Sequence, residues 1–228
     1  MNAATFAVLP AALDVRYVEL EGRDERRDAR ILCDEERERA NRFRFARDRR
    51  RFVAAHAALR RALAEHTDLA AGALRFRQGA FGKPELLDRP SPQFNLSHSG
   101  ALALLAIGRR CPVGVDVEQL RPVPDALALA SACFTRQENE ALAALPLPDR
   151  DHAFLTCWTR KEACLKAIGT GLMLAPDSFE VGLEAEPLSV SFQARDQCVC
   201  VALQPAPGRE GSVGSVAQCH APFVGANR

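Results

Sequence analysis

The six residues Val113-Gly-Val-Asp-Val-Glu118 alternate apolar and non-apolar positions without a break. Successive side chains of an extended strand point to opposite faces, so Val113, Val115 and Val117 share one face and Gly114, Asp116 and Glu118 the other. A helix would scatter the same residues around its axis; the stretch therefore commits the chain to a sheet with one buried side. It also sets two carboxylates roughly 7 Å apart along one strand face, where they repel. Two readings stand at this point: water solvates that face, or a hard divalent cation bound through oxygen occupies it, with Gly114 leaving room for a ligand.

Other stretches extend the mixture. Phe94 to Ser99 and Ala101 to Ile107 read as short strands joined at Ser99-Gly100, the second apolar enough for burial on both faces. A period of two in Leu74, Arg75, Phe76 and Arg77 precedes a turn-prone Gly82-Lys83-Pro84, and Ser189 to Phe192 and Cys198 to Leu203 are strand-like. Residues 208 to 215 read as a loose Gly and Ser tract. Helical signals surround these pieces. Asp34 is placed to cap a helix with acids in its first turn and arginines later. A helix after Asp48 carries the stripe Phe52, His56, Leu59 and Leu63, in which His56 is packed and not catalytic. One more follows Pro124, Thr135 and Glu138 have capping-box spacing, and a further helix runs from about Asp151 to a glycine cap at Gly169. At 228 residues and 47% hydrophobic, the chain can build one large core or two small ones, and the turn Arg109 to Pro112 divides 1–112 from 113–228.

Thirty basic groups nearly cancel 29 acidic ones, so nothing in the net charge of +1 calls for nucleic acid or a membrane. Basic residues nonetheless crowd positions 23 to 61, Arg42, Arg44, Arg47, Arg49, Arg50 and Arg51 among them, in a half suited to an anion. The first residues lack the pattern of a secretion signal, so a reducing cytoplasm is the expected compartment. There the eight cysteines act as small apolar fillers, and the spacing of Cys198 and Cys200 does not suit zinc.

In Trp158-Thr-Arg-Lys-Glu-Ala-Cys-Leu-Lys166, Lys161 interrupts an apolar stripe of Phe154, Trp158, Leu165 and Ile168. Its methylenes lying over the core, with Glu162 and Lys166 paired at i and i+4, would account for this. Asn95-Leu-Ser-His-Ser99 suits a phosphate or sugar contact as well as a plain turn. The absence of a Gly-x-Ser-x-Gly elbow and of a Walker loop removes the usual support for serine hydrolase and nucleoside triphosphatase chemistry.

In order and spacing, Gly82-Lys-Pro84, Phe94-Asn-Leu-Ser-His-Ser99, Val113-Gly-Val-Asp-Val-Glu118 and Trp158-Thr-Arg-Lys-Glu-Ala-Cys-Leu-Lys166 together resemble the 4'-phosphopantetheinyl transferases of the surfactin-synthetase-activating type. The likeness runs from about Leu32 to at least Phe179. It implies an α+β pseudo-dimer of two similar halves and a monomer in solution, with coenzyme A and Mg2+ in the cleft between the halves. The expected reaction moves the phosphopantetheine arm to a serine of an apo acyl or peptidyl carrier protein. The resemblance makes Asp116, Glu118 and Glu162 the metal-binding acids, and Glu162, Lys166 and Asp116 the catalytic set. It assigns Arg39, Lys83, Ser97 and His98 to the nucleotide end of coenzyme A, Lys161 and Lys166 to its phosphates, and a further basic contact to Arg51. Phe52 and Glu36 depart from the pattern, standing where some relatives carry a hydroxyl residue and a lysine. Ala132, Phe134, Leu142 and Leu145 are expected to offer the carrier an apolar groove.

Overall fold

In a computed structural model the described residues are 13–79, 81–87, 91–109, 111–169, 174–194 and 197–219. Strand β1 (Asp14–Glu19) leads to helices α1 (Glu25–Ala29), α2 (Asp34–Asn41) and α3 (Ala46–Glu65). The short hairpin β2 (Phe76–Gln78) and β3 (Pro84–Leu86) follows, then β4 (Gln93–Ser99), β5 (Leu102–Gly108) and β6 (Val113–Gln119). Helices α4 (Ala126–Cys133), α5 (Arg136–Ala144) and α6 (Leu147–Ile168) precede β7 (Leu188–Ala194), β8 (Gln197–Pro205) and β9 (Ser212–Cys219). One antiparallel sheet has the order β1-β5-β4 and another β6-β9-β8-β7.

Strand β5 is buried on both faces, as its unbroken apolar sequence requires. Leu105 and Ile107 pack with Leu59 and Leu63 of α3, whereas Leu102, Leu104 and Ala106 pack with Val113, Val115 and Val117 of β6. The valine face read from the sequence is therefore the face joining the two sheets. The opposite face of β6 lies under α6. A Cβ on Gly114 would stand 2.1 Å from the Ala163 carbonyl oxygen and 2.3 Å from the Ala167 nitrogen. Glycine here admits the backbone of a helix, and not a ligand as expected, because any side chain would push α6 off the strand.

Several boundaries differ from expectation. Cys33, not Asp34, is the N-cap of α2, because the Glu36 carboxylate turns back to accept from the Cys33 amide at 3.0 Å. Helix α6 begins at Leu147, four residues before Asp151, since Pro146 and Pro148 fit a first turn that needs no amide donors. It ends at Gly169 in the left-handed region, φ 72°. Thr135 and Glu138 cap α5 reciprocally. Part of the presumed Gly and Ser tract is the inner strand β9, whose small residues fit beneath neighbours: a Cβ on Gly214 would meet the Tyr17 hydroxyl at 2.8 Å. Strand β1 carried no expectation. Phe134 and Leu142 are 2% and 0% exposed and belong to the core, so the apolar groove anticipated for a carrier is not formed by them.

Candidate active site

Where the sheets meet, β4 runs alongside β6 in the same direction, and side chains bridge the two. Asn95 Oδ1 accepts from the Val115 amide at 2.9 Å, Ser97 Oγ donates to Asp116 Oδ1 at 2.7 Å, and Ser99 Oγ donates to Glu118 Oε2 at 2.7 Å. An edge strand has backbone donors facing outward, and Asn95 satisfies one of them. Ser97 is accordingly not available to a nucleotide as anticipated. It is buried and directed at Asp116.

Because Gly114 lets α6 sit directly on β6, residues one turn apart on the helix reach the acids of the strand. Lys166 Nζ donates to Asp116 Oδ1 at 2.6 Å and to Ser97 Oγ at 3.3 Å, and stands 3.8 Å from Glu162 Oε2. Burial pushes the Asp116 carboxyl above its ordinary range, with Lys166 and Ser97 pulling the other way. Burial also raises Glu162, opposed by Lys166 and assisted by the charges of Asp116 and Glu118. Asp116, Glu118, Glu162 and Lys166, spread over 51 residues of sequence, thus share one electrostatic site. Asp116 Oδ2 is buried and has no hydrogen-bond partner. Such an atom is costly unless something binds it. Among the described residues no three His, Cys, Asp or Glu side chains form a ready metal cage.

Two pockets have Pro84 in common, and the first opens on this cluster through Glu162 and Lys166. One, of about 330 Å³, is lined by Phe81, Lys83, Asn95, Glu162, Leu165 and Lys166. The other, of about 410 Å³, has Phe52, Phe76 and Phe94 in its wall and Arg39, Arg42, Arg75 and Arg77 around it. The Arg39 guanidinium lies 5.2 Å from the Phe52 ring centre, and the Phe52 and His56 rings are 4.0 Å apart. Exposed His98 has an imidazole pKa lowered by partial desolvation and then by His56, Lys166 and Arg39, placing all four basic groups in one field. Arg75 and Arg77 were not singled out from the sequence, although their period of two puts both on one strand face.

The remaining basic candidates lie elsewhere. Arg51 donates to Glu21 at 2.7 Å and does not line either pocket. Lys161 is 0% exposed: its ammonium lies 2.7 Å from Glu138 Oε2 and donates to the carbonyls of Pro176 and Phe179 at 2.8 and 2.6 Å. It faces away from the acids, so the phosphate role expected for Lys161 is corrected to a buried ion pair. Lys83 donates to three carbonyls, those of Val113, Lys166 and Ala167, at 2.8, 2.7 and 3.1 Å. That arrangement leaves no ammonium hydrogen for the nucleotide phosphate to which it was assigned. Burial brings the Lys83 ammonium down to about 8, with Cys219 and Glu85 pulling it back up.

The sequence comparisons agree with one another. Residues 112–216 match the model of the 4'-phosphopantetheinyl transferase superfamily, and residues 24–109 match that of the 4'-phosphopantetheinyl transferase N-terminal region. The 4'-phosphopantetheinyl transferase HetI of Nostoc sp. is 42% identical over 147 residues, covering 63% of this chain and 62% of the relative. The 4'-phosphopantetheinyl transferase Sfp of Bacillus subtilis is 31% identical over 156 residues, 68% of each chain. The match spans less than two thirds of HetI, and 58% of a Synechocystis relative. A solved holo-acyl-carrier-protein synthase from Thermotoga maritima is a slight likeness, with a TM-score of 0.33 and 17% identity over 47% of this chain and 62% of its own. Two adjoining family models and a relative matched over two thirds of its length lead to one conclusion: the chain belongs to the 4'-phosphopantetheinyl transferase superfamily.

Proposed function

We propose that this protein transfers the 4'-phosphopantetheine arm of coenzyme A to a serine of an apo acyl or peptidyl carrier protein, with release of adenosine 3',5'-bisphosphate. The observation that carries the reading is the meeting of Asp116, Glu118, Glu162 and Lys166 beside a pocket that Glu162 and Lys166 line. The arginine-rimmed pocket has the charge and the aromatic wall for the adenosine bisphosphate end. Arg39, Arg42, Arg75 and Arg77 supply its positive field, while the smaller pocket beside Glu162 and Lys166 suits the start of the pantetheine arm.

The donor set fits a magnesium ion. All three acids are hard oxygen donors, and Asp116 Oδ2 is a buried atom lacking a partner. A preformed three-acid cage is not needed, because Mg2+ is usually held by one or two carboxylates together with substrate phosphates and water. Asp116, Glu118 and Glu162 would hold it, and it would supply neutralisation of the charge on the diphosphate.

The carrier serine oxygen forms a bond to the phosphorus nearest the pantetheine, and the bond from that phosphorus to the bridging diphosphate oxygen breaks. The serine proton passes to a Glu162 carboxylate oxygen. Lys166 places a positive charge beside the departing phosphate, and the electron pair leaves with the bisphosphate. Ser97 and Ser99 hold Asp116 and Glu118 in place, so the chemistry rests mainly on positioning and charge.

Mass spectrometry of an apo carrier protein incubated with the enzyme, coenzyme A and Mg2+ tests the proposal. Appearance of the arm on the carrier serine is expected. Hydrolysis of coenzyme A without a carrier, leaving the carrier unmodified, would overturn it in favour of a hydrolase.

A further inference from the structure

The chain contains three lysines, Lys83, Lys161 and Lys166, against 27 arginines. All three act on α6. Lys166 carries the charge at the site and Lys161 closes the helix's buried face. Lys83 comes from the other half of the molecule. It sits in the turn between β2 and β3, where Gly82 adopts φ 81° and the Gly79 amide donates to the Lys83 carbonyl at 2.9 Å.

From this turn the ammonium reaches three carbonyl oxygens at 2.7 to 3.1 Å, and its three hydrogens account for all of them. The carbonyls of Lys166 and Ala167 belong to the last turn of α6, where no intrahelical amide remains to pair with them. Gly169 closes only the Leu165 carbonyl, at 2.9 Å. A cation here also complements the negative end of the helix dipole. The third carbonyl, of Val113, opens β6. One ammonium therefore fastens the end of the helix bearing Glu162 and Lys166 to the start of the strand bearing Asp116 and Glu118. Gly169 accommodates this too, since a Cβ there would stand 3.2 Å from Lys83 Cδ.

We infer that Lys83 is a positioning residue that sets α6 against β6, and through them Lys166 against Asp116, without its ammonium contacting coenzyme A. The kinetic part of this inference rests on the transfer reaction proposed above. The geometry also explains the residue type. Three carbonyls converging on one point match a compact ammonium, whereas the flat fork of a guanidinium directs its donors outward in a plane.

Steady-state kinetics of Lys83→Met and Lys83→Arg with coenzyme A, Mg2+ and an apo carrier provide the first test. Misplacement near 1 Å costs about 100-fold in rate. Both variants should lose kcat to roughly that extent, with KM for coenzyme A within about threefold of the parent. A phosphate contact predicts the reverse: KM rising tenfold or more in Lys83→Met, and Lys83→Arg retaining activity because it keeps the charge. That pattern, or parental kinetics in both variants, overturns the inference.

Amine-directed labelling of the parent protein, read by peptide mass spectrometry, is the second test and requires no variant. Lys83 should resist modification equally with and without coenzyme A, while Lys166, whose side chain is 31% exposed, reacts and is protected by it. Free reaction of Lys83 that coenzyme A suppresses would make it a ligand contact. A parent enzyme unable to modify any carrier would remove the transfer reading, yet the labelling of Lys83 would still report on the clamp.

Discussion

Helix α6 carries two lysines five residues apart, each beside a buried acid, and the two clusters behave in opposite ways. Around Lys161 every group is matched. Its ammonium meets Glu138 and two carbonyls, and Glu138 also accepts from the amides of Thr135, Val181 and Gly182. Burial raises the Glu138 carboxyl, but Lys161 and the amides outweigh it, so the group stays below its ordinary range. Around Lys166 the accounts are open. Three acids face one ammonium, Asp116 Oδ2 has no partner, and burial leaves both Asp116 and Glu162 above their ordinary range. The first cluster is complete as folded; the second is complete only once positive charge or a ligand is added. A buried ion pair is thus structural or functional according to what remains unsatisfied around it, not according to its composition.

The contrast can be broken most directly at Glu162. Glu162→Gln keeps the side-chain volume, so the Tm should hold while transfer to an apo carrier falls by about 1,000-fold, near 4 kcal/mol. A parental rate measured by mass spectrometry would place the base elsewhere. The closed cluster should respond in stability instead. Lys161→Met strands the Glu138 charge, costing about 3–5 kcal/mol in denaturant unfolding, and adding Glu138→Gln should recover much of that loss. A weaker affinity for coenzyme A at unchanged Tm would show that Lys161 faces the site after all.

A further ion-paired carboxylate, Glu36, gives a test at low pH. Glu36 accepts from Cys33 and Arg60 and lies 3.0 Å from His56 Nδ1; although burial opposes it, these partners bring its carboxyl from 4.5 to about 2. The folded value is depressed, so the stabilisation is complete above pH 4.5 and is lost as pH falls through about 2. Its size is on the order of 3 kcal/mol. Glu36→Gln should flatten that part of an acid unfolding curve.

Gly114→Ala tests whether the helix must touch the strand. Its Cβ would sit 2.1 Å from the Ala163 carbonyl oxygen, so about 1–3 kcal/mol of stability should go, together with transfer activity. Activity lost without any change in unfolding would argue against contact as the cause. The smallest stability effect belongs to Asp116→Asn. Removing a charge that burial disfavours should shift unfolding by under about 1 kcal/mol, or raise the Tm, while weakening the dependence of transfer on added Mg2+. An unchanged Mg2+ titration would separate Asp116 from the metal.

Much of this was legible because local rules acted alone. Strict alternation in Val113 to Glu118 put the valines on one face and the acids on the other, and the apolar run of β5 announced burial on both sides. The capping box of α5 and the glycine end of α6 follow from backbone chemistry within a few residues. Strand β9 was hidden because its small residues answer to Tyr17 and Leu104, far away in sequence. The directions of Lys83, Ser97 and Lys161 were hidden for the same reason. A motif fixes which residue stands at a position, but the partners that orient its side chain come from other elements.

By itself the sequence determined the periods, the caps and the four ordered motifs that mark the superfamily, since each depends on spacing along one segment. Only the tertiary structure decided which basic groups face the acids. Asp116 and Lys166 meet because α6 can descend onto Gly114, and Lys83 and Lys161 are withdrawn because unpaired carbonyls and a buried carboxylate claim their ammonium groups first. Hydrogen-bond satisfaction in a dry interior depends on every surrounding element at once, and no local pattern encodes it.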